Sequence, residues 1–118
     1  MSQQKGFAAE LQARDYLHTQ GLKWVASNYS CRWGEIDLIM REGEYLVFVE
    51  VRARSSRAFG GAAASVTYTK RQKLLKTASH YLLTNKMHDK QSVRFDVFTM
   101  EGSPLQIEWI KNAFGLDF

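Results

Sequence analysis

The stretch GEIDLIMREGEYLVFVEVRAR, residues 34–54, constrains this chain more than any other part of it. Its β-branched and aromatic residues alternate as two strands joined by a turn would. Yet Glu35, Asp37 and Glu50 stand in the middle of the Ile, Leu, Val and Phe. A carboxylate on the buried side of a sheet is costly unless something neutralises it. The fold must therefore either pair these acids with arginines or hold them for a ligand that carries positive charge.

Strand geometry puts residues i and i+2 on one face. Glu35, Asp37 and Ile39 then share a face of the first of these strands, and Leu46, Phe48, Glu50 and Arg52 share a face of the second. With a hairpin loop of two or four residues within Arg41, Glu42, Gly43 and Glu44, Met40 is set to pair with Tyr45, Asp37 lies across from Phe48, and Glu35 lies across from Glu50. All three acids and Arg52 then project from one face, whereas a turn of odd length would split them. Like charges across a sheet repel and raise one another's pKa values. A hard divalent cation such as Mg²⁺ relieves that strain, since it takes carboxylates, water and phosphate oxygens as ligands. The competing expectation is a purely structural network with Arg52, Arg54 or Arg94.

The rest of the chain supplies helices and three more strands. Ala9, Ala13, Tyr16 and Leu17 recur at helical spacing within residues 6–20, with Gly21 as the stop, and Glu10 falls at the edge of that apolar face. LKWVASNYS (22–30) reads as a strand. A connection rich in Ala, Gly and Ser follows Arg52, and loops of this length in small proteins are usually functional or mobile. Thr69 to Gln72 has the capping-box pattern at the start of a second helix, whose apolar face is Leu74, Leu75, Ala78, Tyr81 and Leu82. SVRFDVFTM and PLQIEWIKN are two further strands around a Gly-Ser-Pro turn. The order is α-β-β-β-α-β-β, which predicts an α/β or α+β sandwich with helices packed on a mixed sheet.

Charge is unevenly spread. Between Val51 and His88 stand eight basic residues (Arg52, Arg54, Arg57, Lys70, Arg71, Lys73, Lys76 and Lys86) and no acidic one, while the whole chain of 118 residues holds 16 basic and 12 acidic side chains. A basic segment beside an acidic hairpin suits a polyanion held against a carboxylate cluster. No segment has the length and apolarity of a membrane span or a signal peptide, and the lone Cys31 has no disulfide partner. One cytoplasmic domain, 1–118, is the expectation. His18, His80 and His88 stand at no metal-ligand spacing.

The spacing D-x12-E-x-R, with Asp37 on one strand and Glu50-Val51-Arg52 on the next, resembles the PD-(D/E)xK nuclease superfamily. GFAAELQARDYL, GEIDLIM, LVFVEVRAR, KLLKTASHYL, RFDV and IEWIKNAF together resemble the YraN-like family of small bacterial endonuclease-like proteins, over essentially the whole chain. The archaeal Holliday-junction resolvases are similar in sharing that core and a glutamate on the first helix. The resemblance implies a restriction-endonuclease-like core with a mixed five-stranded sheet flanked by helices. It implies a Mg²⁺ (or Mn²⁺) site formed by Asp37, Glu50 and the Val51 carbonyl, with Glu10 orienting a second metal or a water. The reaction implied is phosphodiester hydrolysis in branched or structured DNA during recombination or repair.

One departure from the superfamily pattern stands at Arg52, where lysine is usual. A guanidinium stays protonated, so it can orient a water or stabilise charge on the phosphate but cannot act as a base. A non-catalytic DNA-binding protein retaining the nuclease fold is therefore the alternative, and a structural adaptor the third reading. Arg54, Arg57, Lys70 and Lys73 flank the site and could hold phosphates. Of the tryptophans, Trp33 stands nearest the acids and is the one placed to stack on a base. Asp96 is expected to pair with an arginine. Cutting two strands would call for a homodimer of C2 symmetry.

Overall fold

The computed structural model describes residues 2–54, 66–87 and 91–115. Helix α1 (Ser2–Thr19) leads into strands β1 (Lys23–Cys31), β2 (Gly34–Glu42) and β3 (Tyr45–Arg54); helix α2 (Tyr68–Thr84) then precedes β4 (Ser92–Glu101) and β5 (Gln106–Phe114). The predicted order is the observed one. The strands form one sheet in the order β1-β2-β3-β4-β5. Only β3 and β4 run parallel, because the connection through α2 returns the chain to the end of the sheet where β3 began. The other neighbours are antiparallel.

The two helices cover opposite faces. Ala9, Ala13 and Leu17 of α1 pack on Leu38, Met40, Val47, Val49 and Phe98. Leu74, Leu75 and Ala78 of α2 pack on Ile39, Leu46, Phe48 and Phe95. Side chains that alternate along β3 thus feed two cores in turn, and each fully buried leucine or valine contributes about 1.5–3 kcal/mol. The result is a three-layer α/β/α arrangement.

Two glycines fix how the helices meet the sheet. Gly21, with φ of 99°, ends α1: its N–H donates to the His18 carbonyl, and the Leu22 N–H reaches back to Leu17. That left-handed cap turns the chain so that Leu17 and Leu22 are both sealed into the α1 core. Gly34 opens β2 with φ of 153°, and a Cβ there would stand 3.3 Å from the Thr77 hydroxyl and 3.8 Å from the Lys73 Cβ. The absence of a side chain at Gly34 lets α2 press onto the start of the acidic strand.

Two details differ from the expectation. The β2–β3 turn is Gly43-Glu44 alone, because Glu42 pairs with Tyr45 and Arg41 with Leu46. β2 runs on through Glu42, which Arg94 holds at 2.6 Å, while β3 begins at Tyr45 and continues to Arg54 beside Glu101 of β4. The N-cap of α2 is Thr67, whose hydroxyl accepts from the Lys70 N–H at 3.3 Å, so the capping pattern at Thr69 and Gln72 lies inside the helix. Among the described residues no helix is long and apolar enough to cross a membrane.

Candidate active site

The short turn moves the register by two residues. Met40 pairs with Val47 rather than Tyr45, and the ladder runs to Leu38 opposite Val49. The next step sets Asp37 beside Glu50, where Phe48 had been expected. An even shift by itself does not exchange the faces of a strand, and Asp37 and Glu50 remain neighbours.

At Asp37 the strand departs from regularity. Ile36 and Ile39, three residues apart, both face the α2 core, while Leu38 and Met40 face the α1 core. Strict alternation would put Ile36 with Leu38. The paired β1 segment is distorted at the same level: Asn28, between the pairs Ser27–Leu38 and Tyr29–Ile36, has φ of 54°. Local irregularity of this kind re-aims a side chain. Asp37 consequently stands at the end of the β2–β3 ladder, where carboxyls from both layers reach it.

Its partners are Glu50, from the α2 side of β3, and Glu10, from α1. Asp37 Oδ2 also accepts a hydrogen bond from the Val51 N–H at 2.8 Å. Glu50 is mostly buried; that burial first, and the Asp37 charge second, push its pKa up from 4.5 to about 8. Arg52 and Lys70 oppose the rise, and the protonated Glu50 donates a hydrogen bond to Asp37. Glu10 rises to about 7 for the same two leading reasons, burial and then Asp37, and it too donates to Asp37. The Asn28 side chain bonds to Glu10 and favours its charged form, while Glu35 adds a further unfavourable charge. Three carboxyls from three elements thus share one small volume, and two of them, Glu10 and Glu50, are pushed up to about 7 and about 8.

Arg52 lies beside them, its Nη2 3.2 Å from Glu50. That approach lacks hydrogen-bond geometry, and the guanidinium charge favours the ionised form of Glu50. Among the described residues, Nε and Nη2 of Arg52 are sealed from solvent with no hydrogen-bond partner. Buried donors without acceptors are expensive and uncommon in folded chains.

Of the predicted site residues, then, Glu10, Asp37, Glu50, Val51 and Arg52 come together. Lys70 stands close enough to Glu50 to favour its ionised form. Lys73 lies over Gly34. The Arg54 side chain and all of Arg57 fall outside the described residues, as does the connection 55–65. Glu35 does not stand across from Glu50; it is exposed and pairs with Ser30 of β1, because the two-residue shift carries it past the end of the ladder. Asn28 was missed. The available signal was an asparagine in the middle of a strand pattern, since Asn is enriched in left-handed backbone.

The donor set is one of hard carboxylate oxygens, and burial first and the Asp37 charge second raise Glu50 and Glu10 above the ordinary range. Both features fit Mg²⁺ or Mn²⁺. Among the described residues, no three His, Cys, Asp or Glu side chains are arranged to grip an ion as they stand. With the carboxyls bonded to one another through protons, ion binding would have to displace those protons.

Fold and site together define a three-layer α/β/α protein with a protonated carboxyl cluster and a buried arginine at the open end of a β-hairpin. The chain belongs to the family described as "Uncharacterised protein family UPF0102", whose profile matches residues 9–100. It is 55% identical over 114 residues to a UPF0102 protein of Legionella pneumophila, covering 97% of each chain. It is similarly 55% identical over 113 residues to one of Serratia proteamaculans, covering 95% of each. A relative in Escherichia fergusonii named UPF0102 protein YraN is 53% identical over 114 residues, spanning 96% of this chain and 86% of that one.

Proposed function

We propose that the protein is a divalent-metal-dependent endonuclease of the PD-(D/E)xK type, hydrolysing phosphodiester bonds in branched or otherwise structured DNA. The observation that carries this reading is the convergence of Glu10, Asp37 and Glu50 on one volume at a cost in proton uptake. Folding alone gains nothing from three mutually repelling carboxyls, and perturbed titration of this kind is concentrated at functional sites. Asp37, Glu50 and the Val51 carbonyl would hold a cation; in a strand a residue's N–H and C=O point to the same side, so this carbonyl shares the side of Asp37. A bound cation would offset phosphate charge and lower the pKa of water.

The chain's own residues supply the rest. Arg52 brings two buried, unspent donors to the site, and phosphate oxygens are acceptors that match a guanidinium. It orients the phosphate and stabilises charge that develops there, without taking a proton. Glu10, poised near neutrality by burial, is fitted to accept and return a proton at pH 7. The basic stretch from Val51 to His88 supplies affinity for the DNA backbone without reading its sequence.

The test is incubation of the purified protein with junction, flap, duplex and single-stranded DNA in Mg²⁺ and in Mn²⁺, beside the Asp37→Asn variant. Cleavage of at least one substrate by the parent alone is expected. If nothing is cut, or if Asp37→Asn cuts equally well, the catalytic reading fails. The second reading, a DNA-binding protein that retains the fold without catalysis, is favoured by Arg52 in a position where a lysine could lose its proton. It predicts salt-sensitive binding that survives both chelation of metal and Glu50→Gln.

A further inference from the structure

A cleft of about 570 Å³ lies against the exposed side of α2, away from the carboxyls. Trp33, from the β1–β2 turn, and Tyr68, from the first turn of α2, form its aromatic walls, with Gln72, Lys76 and His80 alongside. The volume falls in the range of small-ligand sites, roughly 300–1,000 Å³. Both rings are open to solvent, Trp33 at 38% and Tyr68 at 63% of full exposure. The Lys76 Nζ stands 4.9 Å from the centre of the Trp33 ring, and the Arg32 guanidinium stands 4.5 Å from it. None of the described residues that line it is acidic. Two solvent-accessible aromatic side chains among cations suit a flat, electron-rich ring attached to an anion.

A second feature joins this cleft to the carboxyl site. Lys70, Lys73 and Lys76 recur at i, i+3 and i+6 of α2, all exposed. Residues at this spacing follow one side of a helix. The first acts on Glu50, the second lies over Gly34, and the third reaches the Trp33 ring. The row covers about 9 Å at 1.5 Å per residue, a length that a nucleotide or two of extended strand spans.

We propose that the Trp33–Tyr68 cleft receives an unpaired base of a DNA strand whose phosphates follow Lys76, Lys73 and Lys70 towards the carboxyl cluster. The position of the scissile bond rests on the endonuclease reading; the binding of the base does not. A base inside a duplex has both faces covered by its neighbours and must leave the stack before it can enter such a cleft. The substrate therefore carries a single-stranded flank on the α2 side of the cut. When the base enters, Lys76 leaves the ring for a phosphate, a small loss because cation–π contacts are weak at exposed positions.

The experiment is fluorescence anisotropy in excess chelator, so that nothing is cut, with a labelled short single-stranded oligonucleotide and a blunt duplex of the same sequence. Trp33→Ala is expected to weaken single-strand binding roughly tenfold, in line with stacking on an aromatic side chain, and to leave duplex binding within about twofold. Trp33→Phe, which keeps a flat ring, should retain most of the affinity. One abasic position in the oligonucleotide should reproduce the loss and add nothing to it in Trp33→Ala. Equal losses for single strand and duplex, or no loss for either, would overturn the proposal. Tyr68→Ala, at a solvent-facing helix position, provides the same comparison should Trp33→Ala fail to fold. A protein that binds single strands through Trp33 yet cuts nothing in Mg²⁺ or Mn²⁺ would refute the endonuclease reading and leave this one standing.

Discussion

Asp96 and Asp37 are both carboxylates set into the same sheet, and their surroundings could hardly differ more. Asp96 on β4 is fully buried and saturated with donors: Arg94 Nε at 2.9 Å and Nη2 at 3.0 Å, the Trp109 indole at 2.8 Å, and the Asn112 N–H at 3.0 Å. Glu42 extends the network through Arg94, and the hydrogen bond and charge of that arginine hold its pKa below the ordinary value. Asp37 receives one backbone N–H and is otherwise pressed against two further carboxyls. The first cluster shows that this fold can neutralise a buried acid completely. Among the described residues the second has no such set of donors, which on the endonuclease reading leaves it for a partner from outside the chain.

The sharpest way to break this comparison is to remove each aspartate and read stability in chelator. Asp96→Ala takes from Arg94 its fully buried partner and leaves it Glu42, and breaking a buried pair costs about 3–5 kcal/mol. A fall in melting temperature of at least about 10 °C is expected. Asp37→Asn should have the opposite sign, a gain of about 1 kcal/mol near pH 8, since it removes a repelling charge from between Glu10 and Glu50. Destabilisation by both to the same degree would make the carboxyl cluster an ordinary structural network.

Next in size is the effect of the ion. With Mn²⁺ at a hundredfold excess over its dissociation constant, the parent should gain about 2.7 kcal/mol of stability, and Asp37→Asn little of it. Binding should release protons, because Glu10 and Glu50 must ionise first. Calorimetry in two buffers of different ionisation enthalpy reads that release directly. Mn²⁺ bound without proton release would show that the ion sits elsewhere.

The pH dependence is smaller and has a fixed sign. Glu10 and Glu50 titrate at about 7 and about 8 in the folded chain, against an ordinary 4.5. Between those limits the folded state holds protons that the unfolded chain has lost. Their contribution to stability is therefore complete below the ordinary value and is lost as pH rises through the two folded values. Denaturant titrations of the metal-free protein should follow that decline, and Asp37→Asn should flatten it. A curve that rises over the same interval would contradict the assignment.

Much of this was legible beforehand, and the failures have physical causes. Apolar periodicity located both helices and all five strands, because each element buries one face or two in a regular pattern. The pairing of Asp96 with an arginine was legible from a carboxylate alternating with Phe95 and Val97. The register was wrong by two residues because polar Arg41 and Glu42 read as turn, whereas Glu42 is drawn into the ladder by Arg94, a residue 52 positions on. Asp37 and Glu50 meet all the same, since an even shift keeps parity, although the irregularity at Asp37 brings Ile36 to the α2 core instead of beside Leu38. Their meeting with Glu10 depends on how α1 crosses the sheet, which no local pattern encodes. Asn28 left only the signal of an asparagine within a strand pattern, since a strand-like sequence does not announce where it will distort.

Asn28 gives the finest test of the comparison. Around Asp96, neutral donors and an arginine complete a network; around Glu10, the Asn28 side chain alone is seen to favour the charged form. The residue also holds φ at 54°, a conformation that glycine adopts at no steric cost. Asn28→Gly should therefore keep the backbone and leave stability within about 0.5 kcal/mol, as surface substitutions usually do, while removing the donor. Burial and the Asp37 charge then act on Glu10 unopposed by Asn28, and its pKa should move above its present value of about 7. Carboxyl NMR titration of Glu10 in the two proteins separates the alternatives: an upward shift assigns Asn28 to the electrostatics of the site, and an unchanged curve assigns it to the distortion of β1 alone. In the second case Gly and Asn would be interchangeable there, and the tuning of Glu10 would rest wholly on its depth in the fold.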